Sequence, residues 1–228
     1  MFFSFSYKPY IVIIGDIKKS RTLKDRGKIQ EQLKQSLQLI NGKYASDIAA
    51  QFMITLGDEF QGLLDCGAHT LNVIEDIQAA MYPVRIRFGI GIGAVTTVID
   101  PSKTREIDGS CYYNARNAID YLKQNEKRNH NNTADIRIEI EEDVSCVSNL
   151  MNTVLSLISV VEKNWTERQR TIIYDCLAYH DGQVKCASRL GIAQSSVQRG
   201  LMNSNYYAYA QARDTINNML GEIQKNDI

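Results

Sequence analysis

The chain has 228 residues, of which 44% are hydrophobic and 23% charged, with 26 basic side chains against 26 acidic ones. That mix excludes a disordered or fibrous protein, because there is enough apolar surface to fill a core. A formal net charge of zero excludes coating of nucleic acid or anionic membrane by bulk electrostatics, and leaves a local basic patch open.

The five cysteines, Cys66, Cys111, Cys146, Cys176 and Cys186, are scattered and form no Cys-x-x-Cys pair. This argues against a disulfide framework or a structural zinc site and fits a reducing cytoplasm. Residues 1–10 lack the basic start of a signal peptide, and the apolar stretch 150–161 is too short and too polar to span a bilayer, so no membrane partner is expected.

In chain order, the continuous apolar run Tyr10-Ile11-Val12-Ile13-Ile14 reads as a strand buried on both faces. A helix follows, with Ile29, Leu33, Leu37 and Ile40 on one face and Asn41-Gly42 as its stop signal. Residues 51–64 read as two strands joined by a tight turn at Gly57-Asp58. A second helix carries Leu71, Ile74, Ile77 and Met81 and ends at Pro83. Residues 84–93 alternate small or polar with apolar residues and read as a fourth strand. Its glycines, Gly89, Gly91 and Gly93, point to close backbone approach by a helix or by a nucleotide. The order so far is β-α-β-β-α-β, the ferredoxin-like unit.

A loop over 96–108, a helix with Cys111, Ala115, Ala118, Ile119 and Leu122 inward, a polar loop over 124–133 and an edge strand over 136–140 complete this half. From about residue 145 the strand signals vanish. Helices are expected over 150–163, 166–179 (with Thr166 as N-cap), 185–190, 194–203 and 207–224. The fold class is α+β: a palm-type domain (1–143), a connecting helix (144–163) and an all-helical domain (164–228).

In the ferredoxin-like topology the first and third strands are antiparallel neighbours, so the end of the first lies beside the start of the third. That brings Asp16 towards Asp58 and Glu59. Carboxylates placed there suit Mg²⁺ or Mn²⁺, which take oxygen ligands and keep phosphates and water as the others. The loop Ile17-Lys18-Lys19-Ser20-Arg21 leads into a helix N-terminus, where backbone N–H groups and basic side chains can take phosphates. Each residue also has an ordinary reading as turn or solvated loop.

The segments Ile13-Ile14-Gly15-Asp16-Ile17, Thr55-Leu56-Gly57-Asp58-Glu59-Phe60 and Arg87-Phe88-Gly89-Ile90-Gly91-Ile92-Gly93 resemble the palm-like core of nucleotidyl cyclases and GGDEF domains. The resemblance implies two metals on Asp16 and Asp58, with the Ile17 carbonyl as an auxiliary ligand and Glu59 at the fourth place of the GGDEF signature. Leu56 stands at that signature's first glycine. Tyr113 and Asn117 stand where class III cyclases carry a transition-state asparagine and arginine; Asn114 and Arg116 are close by.

In the second half, Ala187, Gly191 and Val197 have the spacing of a helix-turn-helix, with Gly191 permitting a left-handed turn. The second helix would offer Gln194, Ser195, Ser196, Gln198 and Arg199 to a DNA major groove. This region is similar to sigma-factor region four. A helical packing module that never meets DNA remains the alternative. Eight basic against seven acidic residues from Ser145 onward make a barely basic half, so DNA binding would need a homodimer. Trp165 reads as a core anchor, and Tyr206, Tyr207 and Tyr209 as core or dimer packing.

A palm followed by a helix-turn-helix, with Gly-Asp-Ile and Gly-Asp-Glu-Phe so placed, resembles the bacterial SatD family over nearly the whole chain. Three functions follow as expectations. The first is a cytoplasmic DNA-binding regulator whose palm binds a nucleotide with a divalent metal. The second is a metal-dependent nucleotidyltransferase or cyclase using Asp16 and Asp58. The third is an adaptor with a relic acidic site.

Overall fold

The computed structural model describes residues 3, 5–128, 134–141 and 147–224. His130, Cys146, residues 129–133 of the expected polar loop and the boundary near residue 145 lie outside the described residues.

The architecture is mixed α+β. Strands β1 (Tyr10–Ile17), β2 (Ile48–Leu56), β3 (Glu59–Leu64), β4 (Ile86–Gly93) and β5 (Ile136–Ile140) form one sheet in the order β2-β3-β1-β4-β5. β1 is antiparallel to both β3 and β4, and β5 joins β4 in parallel at the edge. Strand side chains alternate between faces. Ile11, Ile13, Phe60 and Phe88 therefore pack with Leu33 and Leu37 of α1 (Arg26–Lys43) and Ile74 and Ile77 of α2 (Thr70–Met81). Val12, Ile14 and Leu63 face the other way, onto Cys111, Ala115 and Ile119 of α3 (Ser110–Lys127).

The glycines of β4 serve helix approach. A Cβ at Gly91 would stand 2.0 Å from the Cys111 carbonyl oxygen and 2.2 Å from the Ala115 nitrogen. The backbone of α3 rests directly on the strand. The turn at Gly57-Asp58 is as expected, with Gly57 at φ 59°.

Several boundaries differ from the sequence reading. β2 starts at Ile48 rather than Gln51. α1 runs past Asn41-Gly42 to Lys43, because the Asn41 amide is committed to β2: it donates to the Phe52 carbonyl (3.0 Å) and accepts from the Phe52 N–H (2.8 Å). α3 takes in residues 124–127 of the expected loop.

Helix α4 (Val147–Lys163) does more than connect. The buried Asn152 side chain donates to the Ile138 carbonyl and accepts from the Ile138 N–H, both at 2.8 Å. It thereby satisfies backbone groups on the open edge of β5, which would otherwise be unpaired.

The chain continues as α5 (Glu167–Tyr179), α6 (Gln183–Leu190), α7 (Gln194–Asn203) and α8 (Tyr206–Leu220). Thr166 and Gln169 form a reciprocal capping box at the start of α5. Gly191, at φ 63°, ends α6 in the left-handed conformation and allows the turn into α7. Trp165 is buried; its indole N–H donates to the Ser204 carbonyl (2.8 Å), and its ring meets Tyr209 edge-on at 4.7 Å. α8 returns to α2, where the buried Arg213 guanidinium holds Glu75 at 2.5 Å and the Tyr209 hydroxyl donates to the same carboxylate. The helices and the α1–α2 face of the sheet share one core. Among the described residues no helix is long and apolar enough to cross a membrane.

Candidate functional site

Asp16 sits near the C-terminal end of β1, directly opposite Glu59 on β3 and Arg87 on β4. Its even position puts the carboxylate on the α3 face. Two like charges abreast on neighbouring strands repel, and the chain answers with cations. Arg87 donates to one Asp16 oxygen at 2.5 Å, and the Lys123 ammonium lies 2.9 Å from the other. Arg116 grips Glu59 through two parallel bonds of 2.5 and 2.6 Å. Those hydrogen bonds with Glu59 hold Arg116 above its ordinary range, against the opposing effect of burial.

The network extends along the strand ends. Arg87 also binds Glu126 at 2.7 Å. Lys18 binds Asp135 and lies 3.9 Å from Glu126, and Arg85 binds Asp135 from the other side. Burial works to raise Asp135, but Lys18 and Arg85 outweigh it and hold the carboxyl below its usual range.

The loop after β1 therefore divides. Lys18 extends the strand pairing, with its N–H donating to the Arg85 carbonyl (2.8 Å), and its side chain is buried on Asp135 rather than offered to a phosphate. Lys19 and Arg21 are exposed and Ser20 is half-buried. Asp58 is tied to β1 by its carbonyl, which accepts from the Ile17 N–H at 3.1 Å. Asp58 lines a cleft of about 220 Å³ together with Ile17, Ser20, Arg26 and Gly57, against the N-terminus of α1. No described residue forms an ion pair with the Asp58 carboxylate, which is half-buried.

The structure thus brings Asp58, Ile17 and Ser20 together on the α1 side. It places Asp16 and Glu59 on the α3 side, each engaged by cations. No group of three or more His, Cys, Asp and Glu side chains converges for a metal among the described residues. Arg87, Arg116, Lys123 and Glu126 carry the site's electrostatics and had no assigned role in the sequence reading. A signal existed: Arg116 and Lys123 are seven apart, two turns on one helix face.

Among the expected DNA-contacting residues, Gln194, Ser195, Gln198 and Arg199 are exposed along α7 and Ser196 is half-buried. The Gln194 amide donates to Gln183 at 2.7 Å. Ser196 and Arg199 line a cleft of about 350 Å³ with Thr166, Arg168 and Gln169 at the start of α5.

Among curated proteins, none matches this chain. Among solved structures, the chain is similar to the catalytic core of a rhodopsin-guanylyl cyclase with converted specificity, in complex with ATPalphaS. That likeness is at 18% identity and TM-score 0.37, over 49% of this chain and 71% of the other. It is similar to the guanylyl cyclase domain of the RhoGC fusion protein from the aquatic fungus Blastocladiella emersonii at 20% identity and TM-score 0.40, over 49% and 74%. A bacterial light-regulated adenylyl cyclase is similar at 11% identity and TM-score 0.41, over 57% and 74%. The model of the SatD family matches residues 10–220, nearly the whole described chain, and the protein belongs to the SatD family.

Proposed function

We propose that this protein binds a nucleoside triphosphate with a divalent cation at the end of β1, on the α1 side of the sheet, and that nucleotidyl transfer is the reaction to test there. The observation that supports this reading is the Asp58 carboxylate. It is half-buried and has no cation partner among the described residues, while Asp16, Glu59, Glu126 and Asp135 nearby are all paired. It shares its cleft with the Ser20 hydroxyl and with Arg26, a donor set that suits Mg²⁺ or Mn²⁺ and phosphate oxygens. The bound ion would compensate phosphate charge and polarise the transferred group. Arg26, Lys19 and Arg21 would hold the phosphates, and the first backbone N–H groups of α1 add positive potential. A two-aspartate form of the site, in a ferredoxin-like palm, requires Asp16 to exchange Arg87 and Lys123 for metal.

The test is calorimetry and pyrophosphate release over the four ribonucleoside triphosphates with Mg²⁺ or Mn²⁺, comparing wild type with Asp58→Asn. Binding that the substitution weakens at least tenfold supports the site. Pyrophosphate release abolished by both Asp58→Asn and Asp16→Asn makes the protein a nucleotidyltransferase or cyclase. Absence of any triphosphate binding refutes the reading.

A second reading concerns α7. Its exposed Gln194, Ser195, Gln198 and Arg199, set beyond a left-handed Gly191, have the arrangement a helix-turn-helix presents to DNA. In that reading the protein is a regulator, and the free thiols Cys66, Cys111, Cys176 and Cys186 suit the cytoplasm. Arg199→Ala should abolish specific binding to the DNA upstream of its own gene; unchanged binding rejects the role of α7.

A further inference from the structure

The cleft of about 350 Å³ between the start of α5 and α7 is cationic. Among the described residues, the charged groups of its lining are Arg168 and Arg199, and neither forms an ion pair. Elsewhere in the helical half, Arg170, Arg189 and Arg213 each bind a carboxylate. Arg199 bonds within its own helix, from Nε to the Ser195 carbonyl at 3.4 Å, which leaves the end of its guanidinium uncommitted. Glu167, next to Arg168 in sequence, is exposed and is not part of the lining. Thr166 and Gln169 also line the cleft, but their side chains are engaged with each other in the capping box.

The α7 wall is ordered. Ser196, Arg199 and Asn203 are spaced three and four apart, so they form one row along the helix. The exposed Ser195, Gln198 and Met202 form the neighbouring row, about 100° round the axis. A helix is about 10–12 Å across, and the major groove of duplex DNA is about 12 Å wide. A helix that fills this groove with one row toward the bases turns the next row toward a groove wall, and that wall is a phosphate strand.

We propose that one phosphate strand of duplex DNA seats in the α5–α7 cleft. Arg168 and Arg199 take the phosphate oxygens, and Ser196 and Asn203 donate beside them. The inference rests on the reading of α7 as a groove-entering helix and divides the labour within it. Gln194, Ser195 and Gln198 face bases, whereas the cleft fixes position without reading sequence. Arg168, which lies outside both helices of the motif, thereby acquires a role.

The test is a fluorescence-anisotropy titration of the full chain across about 50–200 mM salt. Two duplexes are used: DNA from upstream of its own gene and a scrambled duplex of the same length. Wild type is compared with Arg168→Gln, with Asn203→Asp, and with Lys34→Gln, which removes an exposed charge on α1 as a control. Arg168→Gln should weaken both duplexes by the same factor, about fivefold, and lower the salt slope by about one. Asn203→Asp, which sets a carboxylate in the cleft, should weaken both by about tenfold, and Lys34→Gln should change neither. If one cleft variant fails to show a wild-type-like thermal transition, the other carries the result. DNA binding that both cleft variants leave unchanged overturns the cleft and leaves the reading of α7 standing. A loss confined to the upstream duplex, or an equal loss in Lys34→Gln, overturns the cleft as well. If the wild type binds neither duplex, the reading of α7 falls and the cleft falls with it.

Discussion

Both faces of the sheet use glycine, but they fill the vacated space differently. On the α3 face the space at Gly89 and Gly91 is taken by helix backbone. On the α1–α2 face a Cβ at Gly15 would meet the Phe60 ring at 2.0 Å, and one at Gly62 the Phe52 ring at 2.4 Å. A ring end can swing at moderate cost, whereas a helix moves only as a body. The α3 face also carries the paired acids Asp16 and Glu59, so α3 positions the cations of the site as well as part of the core. The contrast teaches that the electrostatics at the end of β1 depend on how closely α3 can lie.

The strongest way to break this contrast is Gly91→Ala. A methyl group 2.0 Å from the Cys111 carbonyl forces α3 away from β4 and displaces Arg116 and Lys123 with it. The expected loss is about 4 kcal/mol or outright failure to fold, read from urea denaturation. Next comes Asp135→Asn, which strands the buried Lys18 and should cost about 3 kcal/mol near neutral pH. The folded carboxyl titrates below its usual range, so its contribution is present above about pH 4 and is lost as pH falls further. The gap between wild type and Asp135→Asn should therefore close in acid; a constant gap from about pH 7 to about pH 3 would reject the ion-pair account.

Gly15→Ala should cost about 2 kcal/mol, less than Gly91→Ala, because only the Phe60 ring must shift. Equal losses for the two would erase the distinction between the faces. The smallest effect is a gain. Gly42 lies in the last turn of α1, where an added methyl group would meet open space, so Gly42→Ala should raise stability by about 0.5–1 kcal/mol in the same denaturation assay.

Much of this was legible beforehand. The run Tyr10–Ile14, the turn at Gly57-Asp58, the inward faces of α2 and α3, and Thr166 as a cap all follow from local pattern, because alternation, helical period and capping are properties of neighbouring residues. Residues 41–42 misled because Asn41 bonds across space to Phe52, a partner invisible to local reading. Lys18 misled for the same reason: its partner Asp135 is 117 residues away.

The sequence by itself determined which segments are strands and helices, that Asp16 and Asp58 end adjacent elements, and that the glycines of β4 admit a close neighbour. Only the tertiary structure decided that this neighbour is α3, that Asp16 and Glu59 are matched by Arg87, Lys123 and Arg116, and that no described cation forms an ion pair with Asp58 in its cleft. Periodicity is written in the order of residues. Charge pairing depends on which distant side chains share a face, and that exists only once the sheet has closed and α3 has docked.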